Sequence, residues 1–106
     1  MVTRGEVWIA RLDPTEGREI QQTRPCLIVS PPEIHDALDV VIVVPMTTGS
    51  YPAPYRIEAT LNDNEGRFLL EQIRTLDKSR LLRRFGAADR DTLSAVLRAL
   101  REMFAE

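Results

Sequence analysis

Asp89-Arg90-Asp91-Thr92-Leu93-Ser94-Ala95-Val96-Leu97-Arg98-Ala99-Leu100-Arg101-Glu102-Met103-Phe104 is the stretch at which the chain changes period. Leu93, Val96, Leu97, Leu100, Met103 and Phe104 recur at three- and four-residue intervals, which predicts one apolar face of an amphipathic helix. Asp89 fits the N-cap, where a carboxylate accepts from unpaired backbone amides, and Asp91 adds negative charge to the first turn. Upstream the pattern is that of strands. Glu6 to Leu12, Cys26 to Ser30 and Val40 to Pro45 are short apolar runs rich in β-branched and aromatic residues. Each ends in breakers: Asp13-Pro14 and Gly17, then Pro31-Pro32, then Thr47-Thr48-Gly49-Ser50. Tyr55 to Leu61 alternates as a strand with one wet face. Asn62 to Gly66 is turn chemistry, Arg67 to Arg74 predicts a further strand or bulged pair, and strands dominate to about residue 85. The fold class is therefore mainly β with a terminal helix (α+β). We expect a strongly bent barrel whose open side the helix covers.

With 106 residues, 43% hydrophobic and 28% charged, the chain is expected to form a single domain over residues 1-106. A core that small is often supplemented by association, so a dimer is expected on size alone. Cys26, the single cysteine, lies in an apolar run and predicts a small core hydrophobe in a reducing compartment. The first residues lack a signal-peptide apolar region and no run is long enough to span a bilayer, so the expected location is cytoplasmic, with no membrane partner. The net charge of -2 argues against a protein that coats nucleic acid through many cations. The distribution says more: residues 1 to 65 carry 5 basic against 10 acidic side chains, whereas residues 66 to 90 carry 7 basic against 3 acidic. That stretch suggests one basic surface, with a solvated mixed-charge face as the plainer alternative.

One histidine and one cysteine do not make a closed zinc site, and neither a phosphate-binding glycine loop nor a Ser-His-Asp set is present; metal, none, and cofactors, none, are the expectation. His35, after Pro31-Pro32-Glu33-Ile34, is expected at the surface. An enzyme built on this chain has to work with arginine, carboxylates, hydroxyls and backbone groups. Such a set suits a substrate that supplies its own nucleophile, as RNA does through its 2′-hydroxyl. Gly17-Arg18-Glu19, Thr23-Arg24-Pro25 and Met46-Thr47-Thr48 are the three loop-edge segments that offer these groups.

Arg4-Gly5-Glu6-Val7-Trp8, Leu12 to Glu19, Arg24 to Pro31, Val43 to Thr48 and Glu71 to Leu81 together resemble the MazF/PemK toxins, in order and spacing across nearly the whole chain. The resemblance implies an SH3-like barrel of the MazF/CcdB type and a homodimer. It implies sequence-specific, metal-independent cleavage of single-stranded RNA, mostly mRNA, as the toxin of a type II toxin-antitoxin system. It further implies an acidic antitoxin protein, with operator DNA met only through the toxin-antitoxin complex. Arg24 takes the place of the family's catalytic arginine; Pro25 restricts it to extended backbone, and we expect it to stabilise phosphate charge, with proton donation to the leaving oxygen as a further role. A salt-bridged strand-edge arginine is the plainer reading. Thr47 takes the place of the active-site threonine, as donor to a non-bridging oxygen, with Thr48 one place away and an ordinary turn threonine as the alternative. Glu19 falls where some members have a glutamate implicated as base; partial burial would suit that role and a nearby Arg24 would oppose it, and a solvated loop residue is the alternative. Arg74, Lys78, Ser79 and Arg80 match a segment near the substrate and are expected to contact RNA. Gln22 departs from the pattern, since many relatives carry glycine there. Trp8 is a base-stacking platform or, more in keeping with an apolar strand, a core or dimer contact. The rival reading is a CcdB-like toxin that inhibits gyrase by protein contact, because that family shares the barrel without the cleavage. An inactive relative kept as a binding module or repressor component is a third.

Overall fold

The computed structural model describes residues 1–49 and 51–106. Ser50, the last of the breaker residues after the third apolar run, lies outside them. Among the described residues seven antiparallel strands form the body: β1 (Glu6–Arg11), β2 (Thr23–Ile28), β3 (Val40–Thr47), β4 (Arg56–Leu61), β5 (Asn64–Leu69), β6 (Arg74–Asp77) and β7 (Leu81–Ala87). α1 (Pro32–His35) is a single turn, and α2 (Arg90–Met103) closes the described chain. The strand order is β4-β5-β3-β2-β1-β7, with β6 on β3. β3 is the hub: Val40 to Val43 pair with β6, Val43 to Pro45 with β2, and Met46 and Thr47 with β5. Handing one strand's edge from one neighbour to the next curls the sheet into a half-barrel. Two register shifts between β1 and β7 add local twist on the other side.

The apolar runs read as continuous because both faces of the central strands are covered. On β2, Leu27 joins one cluster with Val7, Val44, Met46, Leu61, Phe68, Leu70 and Val96, while Cys26 and Ile28 join a second with Ala10, Leu12, Val41, Val43 and Leu76. The period of two thus assigns alternate residues to two cores rather than to core and water. α2 covers the first cluster. Its N-cap, Asp89, accepts from the Thr92 amide at 2.7 Å, and Val96 is fully buried, so truncating it to alanine should cost about 2 kcal/mol. Among the described residues no helix is long and apolar enough to cross a membrane.

Several expectations are corrected. β2 runs Thr23–Ile28 rather than Cys26 to Ser30, because pairing with β1 extends it toward Arg24. Only Asn62 and Asp63 form the turn between β4 and β5, both with positive φ (50° and 64°), and Asn64 to Gly66 already pair as strand. Beyond Leu69 the chain makes a 3-10 turn (Leu70–Gln72) before β6. Phe104, expected on the apolar face, is instead the C-cap that follows Met103 and is 69% exposed. His35, expected outside, is buried: its Nδ1 lies 3.0 Å from Ser30 Oγ, which accepts from the Ile42 amide. The polar partner makes the burial tolerable.

Candidate active site

Arg24 projects from β2 opposite Ala10, and Thr47 ends β3 opposite Arg67. These two strand ends bring Arg24, Pro25, Thr47 and Thr48 around one pocket of about 130 Å³, completed by Met46, Leu61, Asn64 and Phe85. Apart from Asn64, the added groups are apolar, and a low-dielectric wall strengthens an arginine's attraction for phosphate. Arg24 Nε donates to the Gln21 carbonyl at 3.1 Å. That bond uses the inner nitrogen and leaves the planar fork to a ligand. Gln22, whose carbonyl accepts from the Leu12 amide at 2.9 Å, has φ 68°, the left-handed region in which glycine is relaxed. The departure from glycine noted in the sequence falls on a position that needs glycine's freedom.

Glu19 lies elsewhere. It lines a second pocket of about 340 Å³ with Arg18, Glu71, Gln72, Ile73 and Arg74. It is exposed, and its Oε1 accepts from the Glu16 amide at 2.7 Å, so the partial burial that a base role calls for is not there. Arg74 reaches the same pocket while its Nη1 donates to the Leu12 carbonyl at 3.3 Å. Lys78, Ser79 and Arg80 form a 3-10 turn that lines neither pocket. There the Ser79 amide, 2.9 Å from Asp77 Oδ1, and the Ser79 hydroxyl hold the Asp77 carboxyl below its usual range. Arg80 Nη1 donates to the carbonyls of Arg11 and Asp13.

The cations after residue 66 are carried by β5, β6, the 3-10 turn Lys78–Arg80, β7 and the start of α2. Arg67 pairs with Glu58 at 3.0 Å and Arg84 with Glu6 at 2.9 Å. Trp8 is half-buried against the second cluster, its indole N–H donating to Glu6 Oε1 at 3.1 Å. The aromatic ring beside Arg24 and Thr47 is instead Phe85, with the Arg83 guanidinium 5.9 Å from its centroid. Sequence reasoning missed Phe85 and Asn64. No spacing links them to Arg24, because β5 and β7 arrive from the far half of the chain. Burial pushes the Cys26 thiol up to about 12, against the opposing charge of Arg74, so Cys26 is a core group and no nucleophile. Among the described residues no three His, Cys, Asp or Glu side chains gather as metal ligands.

Residues 3–104 match the model of the PemK-like, MazF-like toxins of type II toxin-antitoxin systems. The chain belongs to this family. It is 38% identical over 87 residues to Endoribonuclease MazF of Staphylococcus epidermidis, covering 76% of this chain and 72% of that protein. It is 50% identical over 46 residues to Endoribonuclease PemK of Escherichia coli, covering 43% of this chain and only 35% of that protein. Among solved structures, MazF from Deinococcus radiodurans superposes with a TM-score of 0.83 at 24% identity, covering 93% of this chain and 92% of that one. An endoribonuclease in complex with its cognate antitoxin, from Mycobacterial species, superposes at 0.80 with 24% identity, covering 96% and 93%. These two structures share the fold, the SH3-like half-barrel with its terminal helix.

Proposed function

We propose that this MazF/PemK family member is a toxin endoribonuclease that cuts single-stranded RNA, mRNA above all, at specific sequences without a metal ion. The observation that carries the reading is the meeting of Arg24 with Thr47 and Thr48 in one apolar-walled pocket. In that pocket the 2′-hydroxyl oxygen attacks the adjacent phosphorus and the bond to the 5′-oxygen breaks. The products are a 2′,3′-cyclic phosphate and a 5′-hydroxyl. Arg24 takes up charge on the phosphorus oxygens and supplies the proton for the leaving oxygen, recovering one from solvent, while the Thr47 hydroxyl donates to a non-bridging oxygen. Thr48 and Arg74 hold the strand to either side, and Lys78 and Ser79, with Arg80, act further along it. Glu19, named as base by the resemblance, sits with Arg74 in the second pocket. That place favours contact with the RNA beside the cut, and the 2′-hydroxyl proton then passes to water.

Relatives named endoribonucleases support cleavage, and nothing comparable favours gyrase binding. The Mycobacterial complex with a cognate antitoxin supports an antitoxin partner for this chain too. We assign it an acidic segment that competes with RNA, and we assign the toxin a homodimer in the cytoplasm, which meets operator DNA through the antitoxin. The test is a defined single-stranded RNA incubated with pure protein in EDTA, beside the same RNA carrying a 2′-deoxy nucleotide at the cut. Cleavage of the first and not the second is expected. Loss of cleavage in EDTA with rescue by magnesium, or cleavage of the deoxy substrate, refutes the mechanism.

A further inference from the structure

Gln72 belongs to the Glu71 to Leu81 segment yet has no role in the chemistry above. Its side-chain amide reaches across more than fifty residues of sequence to the loop between β1 and β2. Oε1 accepts from the Ile20 amide at 3.3 Å, and Nε2 donates to the Arg18 carbonyl at 3.3 Å. Those two groups flank Glu19 on either side. One planar amide therefore grips the backbone immediately before and immediately after the carboxylate, as a neighbouring strand would.

The rest of the loop explains why that grip matters. Its start is fastened by Arg74 to the Leu12 carbonyl and by Arg80 to those of Arg11 and Asp13, and its end by the Leu12 amide to the Gln22 carbonyl. Residues 16 to 19 bond to one another, Glu19 N to Glu16 O at 3.0 Å and Glu16 N to Glu19 Oε1, which shapes the tip without attaching it to the barrel. Among the described residues, the hydrogen bonds joining this tip to the body are those of Gln72, beside the packing of Ile20 on the second cluster.

We infer that Gln72 is a positioning residue that latches the Arg18-Glu19-Ile20 segment to the 3-10 turn and so sets Glu19 beside Arg74 for contact with the RNA strand. The assignment of RNA to that pocket rests on the proposed function; the latch itself does not. Glutamine suits the task because it offers one acceptor and one donor. Glutamate keeps the acceptor for Ile20 but faces the Arg18 carbonyl with a second acceptor, and methionine, of similar length, keeps neither bond.

The test uses the full chain with Gln72→Met, Gln72→Glu, Glu19→Ala and the Gln72→Met/Glu19→Ala double variant, each checked for a cooperative melt. Amide exchange at Ile20 should quicken about tenfold in Gln72→Met, the order of one hydrogen bond, and less in Gln72→Glu. For a cleavable RNA, KM should rise about fivefold in Gln72→Met with kcat little changed, and Gln72→Met should add nothing on the Glu19→Ala background. Unchanged Ile20 exchange overturns the latch. A full Gln72→Met effect on top of Glu19→Ala overturns its action through Glu19. If the wild type cleaves no RNA the proposed function falls, and the exchange rates still judge the latch; should Gln72→Met not fold, Gln72→Glu carries the same comparison.

Discussion

Replacing Gly66 by alanine sets a methyl carbon 2.7 Å from the Thr47 carbonyl oxygen, 2.9 Å from Met46 Cε and 3.3 Å from the Thr47 carbonyl carbon. Met46 can swing aside, but the carbonyl is backbone at the end of β3, where Met46 and Thr47 pair with β5. Relief needs a shift of about half an ångström to restore ordinary contact distances. The strand end that must move carries Thr47 into the Arg24 pocket. Overpacking of this kind costs about 1–3 kcal/mol, or very roughly 5 to 20 °C in Tm for a domain of this size. The activity should suffer more than the stability. A misplacement near 1 Å is worth about a hundredfold in rate, so half of that predicts a loss of about tenfold in kcat. Gly86→Ala is the control, since its methyl meets nothing nearer than 3.4 Å, the ordinary range. Melting curves and single-turnover cleavage of one RNA by wild type, Gly66→Ala and Gly86→Ala measure both effects. If Gly66→Ala melts and cleaves like the wild type, the close approach does not set Thr47 and the reasoning fails.

Arg24→Ala should lower kcat/KM at least about a hundredfold, and Thr47→Ala by a similar or smaller factor, with little change in melting; a folded Arg24→Ala protein of near-normal activity would remove the catalytic assignment. Phe85→Leu, which keeps an apolar wall and removes a ring, should raise KM for RNA by about fivefold or more if a base stacks there, and an unchanged KM would exclude stacking. Stability should fall as the solution is acidified below about pH 4. For Glu6, burial raises the pKa but is outweighed by bonds from the Thr3 amide, Trp8 and Arg84, while Asp77 and Asp89 are lowered by the Ser79 and Thr92 bonds. All three end below their ordinary values of 4.5 and 3.8, so their contribution is complete above those values and is lost as pH drops through the depressed ones. A melting temperature that stays flat from pH 5 to about pH 2 would contradict this. Cys26 works in the opposite direction: its contribution is complete below the ordinary 9.0 and fades as pH rises toward about 12. At neutral pH a thiol reagent should therefore modify it only at the rate of unfolding, and prompt labelling of native protein would refute its burial.

Features set by neighbours along the chain could be read before any fold was known. α2 with its Asp89 cap, the apolar runs of β1 to β3 and the burial of Cys26 were legible because period, capping chemistry and run length are local properties. The grouping of Arg24 with Thr47 was legible only through resemblance to a family, since nothing in their spacing says that β2 and β3 pair with those ends together. Where the polar side chains are used depends on contacts between segments far apart in the chain. Arg80 reads as a phosphate cation, yet its partners are the carbonyls of Arg11 and Asp13. His35 reads as a surface residue until Ser30 and the turn of α1 enclose it. Glu19 and Arg24 stand five positions apart, and yet they line different pockets, because the loop between them is drawn toward Gln72. Backbone carbonyls and amides are the same at every residue. A side chain that bonds to them leaves no mark in the sequence, and its partner is fixed only when distant strands come into register.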